Sequence, residues 1–159
     1  MNQPTLAGFT AWIYSFMGIT TANLPTNSIY ITWAYNFASA LVNQQIQTAI
    51  PLMYEIAVYN LAGHQLIYMA PDVTSGGSTY LLPNGQTVGY FAYLRNQYKM
   101  NTFVPGVVSS ASDEGTSTGI EVAEGLKNLT VGQLQLLNTP YGQMYVSIAS
   151  SVGTLWGLS

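Results

Sequence analysis

No side chain between Met1 and Tyr54 carries a charge at neutral pH. Charge depletion of that kind has two usual settings: lipid, or a surface largely covered by other protein. The rest of the chain dilutes the effect only slightly. Charged residues make up 6% of all 159, where an ordinary soluble domain has about 25%. They are Glu55, Asp72, Arg95, Lys99, Asp113, Glu114, Glu121, Glu124 and Lys127. A lone monomer with such a surface is poorly defended against association, and one domain spanning 1–159 is expected from the length.

Lipid is the less favoured setting. A membrane-spanning helix needs about 20 predominantly apolar residues. The best stretch, Ser28 to Val42, is interrupted by Thr32, Asn36 and Ser39 and runs into Asn43, Gln44, Gln45 and Gln47. No basic residue precedes the first apolar stretch, so a secretory leader is not expected. The polar complement is Asn, Gln, Ser, Thr and Tyr, which hydrogen-bond across a protein boundary without the cost of desolvating a charge. Three basic residues and a net charge of −3 argue against nucleic acid as a partner, because phosphate binding rests on clustered Lys and Arg. The chain contains no cysteine, which excludes disulfides and thiolate chemistry.

Hydrophobic spacing predicts a mainly α fold: a small helical bundle with one or two protruding β-hairpins. Leu6, Phe9, Ile13 and Phe16 place a helix over 5–17, closing at Gly18. Pro25 to Ser28 start a second over 28–42, with Tyr30, Trp33, Ala34, Phe37, Ala38 and Leu41 on its expected inner face. Pro51 opens a third over 51–69, which Pro71 stops, with Leu52, Ile56, Tyr59, Gly63 and Ile67 on one side. Trp33 and Ile56 are expected in the core. The Pro83-Asn84-Gly85 turn marks a hairpin over 79–89, and Phe91 to Met100 reads as a short helix. Asp113, Glu114 and Gly115 mark the tip of a second hairpin over 107–122. The stretch 126–137 is open between helix and loop, 140–150 forms a last helix, and 152–159 is a tail.

The chemistry-bearing residues do not converge. His64, the single histidine, lies nine residues after Glu55. That is two and a half helical turns, so the two project to opposite sides. His64 is therefore expected to pack or hydrogen-bond rather than to bind metal or catalyse. Asp113 and Glu114 are too few oxygen ligands for a cation loop. Ser75-Gly76-Gly77-Ser78 lacks the lysine of a phosphate loop, and Asn128-Leu129-Thr130 fits a glycosylation acceptor only as a short chance pattern. No enzyme, metal or cofactor is expected. Arg95 and Lys99 sit four residues apart and are candidates to meet an acidic partner.

Three further runs carry a resemblance. They are Leu52 to Leu66 (LMYEIAVYNLAGHQL), Gly106 to Val122 (GVVSSASDEGTSTGIEV) and Thr139 to Tyr145 (TPYGQMY). In order and spacing they resemble the head-to-tail adaptor proteins of tailed bacteriophages, also called head-completion or connector proteins. The quoted runs cover about a quarter of the chain. It departs from the family in an insert over 72–103 and in the uncharged N-terminal part.

The resemblance implies a structural virion protein in the neck of the particle, assembled in the host cytoplasm. It would form a homo-oligomeric, twelve-fold ring that joins the portal protein to a tail terminator or other neck protein and extends the DNA channel. No membrane and no sequence-specific nucleic-acid contact is implied. Interface candidates on this reading are Arg95 and Lys99 in the insert, Asp113, Glu114 and Gly115 at the hairpin tip, and Thr139, Pro140, Tyr141, Gln143 and Tyr145 on the last helix. Leu155, Trp156 and Leu158 complete the set, docking on a partner such as the portal or folding back on their own subunit. A tail or baseplate component and a small membrane-active protein are the competing readings.

Overall fold

The computed structural model describes residues 3–101, 110–113, 116–119 and 131–152. Helix α1, Leu6–Ser15, begins where the Thr5 hydroxyl accepts the Gly8 N–H at 3.0 Å. This satisfies one of the amides that every helix start leaves without a partner. The chain leaves α1 through Gly18, at φ 69°, a conformation that glycine adopts without strain. Helix α2 is Ile29–Leu41. A short α3, Gln44–Ala49, follows, capped by Asn43, whose Oδ1 accepts the Gln45 N–H at 2.8 Å. Helix α4, Pro51–Met69, has proline in its first turn, where no backbone N–H is needed, and ends just before Pro71.

Strands β1 (Thr79–Leu81) and β2 (Thr87–Gly89) pair antiparallel, with Tyr80 opposite Val88. The turn between them uses Gly85 at φ 82°. Helix α5, Tyr90–Gln97, follows directly. Strands β3 (Ser110–Asp113) and β4 (Thr116–Gly119) form a second antiparallel hairpin, Asp113 opposite Thr116. The chain closes with α6, Val131–Leu136, and α7, Pro140–Val152. The mainly helical fold with hairpins is as expected. Helix α3 was not anticipated, α5 spans 90–97 rather than 91–100, and α6 falls in the stretch left open.

Helix α4 is the centre. It packs against α1, α2, α3, α5 and α7, and from Ala57 to Ile67 every residue but Gln65 is buried. A helix apolar on all sides belongs inside a bundle. Phe9 and Ile13 of α1, Ile31, Ala34 and Ala38 of α2, Ile46 of α3, and Tyr145, Ile148 and Ala149 of α7 close around it. Truncating a side chain such as Phe9 to alanine costs about 3 to 5 kcal/mol.

One expectation fails at α2. Trp33 is not in the core: it is 53% exposed, with Ile29 at 51% and Phe37 at 41%. The face turned inward is Ile31, Ala34 and Ala38, whose small alanines fit a close approach of α2 to α4. Ile56 is partly buried at the edge of the core.

Candidate functional site

Two of the motif runs meet physically. Thr139, fully buried, caps α7: its Oγ1 accepts the Gly142 N–H at 3.0 Å and lies 2.8 Å from Nδ1 of His64 on α4. With its lone pair occupied by that amide, the hydroxyl has its proton free to donate to a neutral imidazole. Burial drives the His64 pKa down from 6.5 to about 4, because the cationic form loses its hydration. His64 is thus neutral, 3% exposed, and holds the start of α7 against α4.

Gly142 is required on steric grounds, since a Cβ there would collide with the Leu136 carbonyl at the end of α6. The Gln143 side chain donates to the Leu137 carbonyl at 2.7 Å. Tyr145 is fully buried, and its phenol pKa is raised by desolvation.

Pro140 and Tyr141 line an apolar cleft of about 380 Å³ between α1, α4 and α7, with Trp12, Phe16, Ile56, Asn60 and Met144. Trp12 meets Tyr141 edge-on at 5.8 Å and stacks on Phe16 at 5.2 Å. Phe16 is 68% exposed and Met144 50%, so the rim is apolar as well. Burial, and then the neighbouring Tyr98 and Tyr90, push the Tyr141 pKa up to about 12. Its hydroxyl stays protonated and can donate.

The remaining candidates lie elsewhere. Arg95 donates from Nη1 to the carbonyls of Ile67 and Ala70, at 3.0 and 2.7 Å. It therefore closes the C-terminal end of α4, where a cation meets the negative end of the helix dipole. Lys99 follows α5 with φ 54° and is exposed. Asp113 is in β3, far in sequence from the cleft, while Glu114, Gly115, Leu155, Trp156 and Leu158 lie outside the described residues. Among the described residues no three His, Cys, Asp or Glu are grouped to hold a metal. No described helix is long and apolar enough to cross a membrane.

Sequence reasoning missed two surfaces. One is the cleft, whose walls come from three helices distant in sequence. The other is the outward stripe Ile29, Trp33 and Phe37, of which Trp33 and Phe37 were assigned to the inside. No protein-family model matches the chain, and neither does any curated protein or solved structure.

Proposed function

We propose that this chain is a structural subunit that assembles with copies of itself and with partner proteins in the neck of a tailed-bacteriophage particle. On this reading it is a ring-forming adaptor between portal and tail. The assembly part rests on one observation: α2 presents Ile29, Trp33 and Phe37 outward from a helix with no charged residue. Exposed large apolar side chains aligned on one face mark a protein contact, and a half-exposed indole is the kind of residue that anchors one. The neck assignment rests on the resemblance alone.

The test joins a surface variant to fractionation. Trp33→Arg should leave the thermal midpoint of the monomer within about 2 °C of the parent, as an exposed substitution does, while abolishing higher-mass species in sedimentation. In particles, the parent chain should remain with the neck. Recovery with detached tails would favour a tail or baseplate component, and recovery with a lipid pellet a membrane-active protein.

A further inference from the structure

The cleft between α1, α4 and α7 has an apolar floor and an apolar rim, yet no described part of the chain fills it. The sequence carries a segment of matching chemistry next to it. After Val152, the last residue of α7, come Gly153, Thr154, Leu155, Trp156, Gly157, Leu158 and Ser159, with three large apolar side chains and no charge. Residues 153–159 lie outside the described part of the chain.

The lengths decide which cleft this segment reaches. Met144, on the cleft rim, precedes Val152 by eight helical residues, an axial distance of about 12 Å. Past a reversal at Gly153, three extended residues from Thr154 to Trp156 span about 10 Å. That brings Trp156 to within about 2 Å of the level of Met144, inside the reach of an indole. A glycine in the first position after a helix suits such a reversal. Ser151, seven residues on from Met144, lies on nearly the same face of α7, so the last turn of α7 shares the face that carries the cleft rim.

The cleft also offers an acceptor for an indole N–H. Asn60 lines it, and because its Nδ2 donates to the Ile56 carbonyl at 2.8 Å, its Oδ1 is the acceptor with which it can take such a donor. We infer that residues 153–159 fold back along α7 and seat Trp156 in the cleft of their own chain, between Trp12, Phe16 and Met144.

The absence of cysteine makes the test direct. In the full chain, Phe16→Cys combined with Leu155→Cys should oxidise to a disulfide within one chain, at least tenfold faster than Leu81→Cys combined with Leu155→Cys. Leu81 is 71% exposed on β1 and serves as the distant control. The difference in emission between the parent and Trp156→Phe should report a blue-shifted, shielded indole, unchanged on hundredfold dilution. Equal oxidation rates, disulfides only between chains, a solvent-exposed Trp156 emission, or a shift lost on dilution would each overturn the inference. None of these readouts depends on neck assembly, so failure here leaves that proposal standing, and the reverse also holds.

Discussion

The uncharged N-terminal part and the segment 71–101 solve the same problem, tying loops and helix ends to the bundle, with different chemistry. Up to α4 the ties are neutral. Tyr35 donates its hydroxyl to the Pro4 carbonyl at 2.7 Å, Tyr14 to the Leu24 carbonyl at 2.8 Å, and the Tyr59 hydroxyl accepts the Thr5 N–H at 3.2 Å. Past α4 a neutral tie remains, from the Ser78 N–H to Asn23 Oδ1 at 2.7 Å, but two others are charged. Asp72 Oδ1 accepts the Phe91 N–H at 2.6 Å and the Ala92 N–H at 3.3 Å, capping α5 from outside the helix, while Arg95 caps α4 in return. Gly89, the residue before α5, leaves room for this carboxylate, since a Cβ there would meet Asp72.

Length alone does not set the difference, since the six-residue α3 takes the neutral Asn43 cap. Helix α5 has eight residues, too few to hold together alone, and a full charge at each junction supplies what its packing cannot. Two of the nine charged residues thus serve helix ends rather than solvent, and the surface is more neutral than the composition alone conveys.

The largest expected effect comes from acid acting on the neutral tie at His64. Its folded pKa lies near 4, below the 6.5 of a free histidine, so the unfolded chain binds more protons between these values. The stability is fully present above pH 6.5 and is lost as pH falls toward 4, in all about 3 kcal/mol. Urea midpoints measured from pH 7 to 4 should fall further in the parent than in His64→Gln, because the chain has no other histidine, with somewhat under half of the difference present by pH 5.5. A level parent curve would mean that His64 is solvated.

Next in size, Asp72→Ala should destabilise the fold by about 2 kcal/mol, the upper range for a lost helix cap. Part of the deficit should vanish when both proteins are compared in 1 M salt, where charge–dipole attraction is screened. The smallest effect belongs to a single neutral tie: Tyr35→Phe should cost about 1 kcal/mol, with no dependence on salt. If the Asp72 and Tyr35 variants respond to salt alike, the contrast between the two regions is not electrostatic.

Much of this was legible because punctuation residues act locally. Pro51 and Pro71 bracket α4, Gly18 closes α1, and Pro140 opens α7. The face of α2 was not legible, because Ile29, Tyr30, Ile31, Trp33, Ala34, Tyr35, Phe37, Ala38 and Leu41 wrap apolar groups nearly around the helix. Periodicity then cannot choose a side, and bulk misleads: the small alanines went in and the indole stayed out. At the candidate site, Thr139 to Gln143 stood out as a helix start, but its partner His64 lies 75 residues away. The roles of Asp72 and Arg95 were hidden for the same reason, with partners 19 to 28 residues distant that only tertiary folding brings within reach.

Helix α4, surrounded by α1, α2, α3, α5 and α7, behaves mechanically as an axle. Its 19 residues run about 28 Å, and packed interiors compress little. Arg95 couples α5 to one end of it, and α5 in turn touches both strands of the first hairpin. The Thr139 hydroxyl couples α7 to its C-terminal third through His64. The β1–β2 hairpin, by way of α5, and α7 are therefore anchored within about 9 Å of each other along one rigid helix.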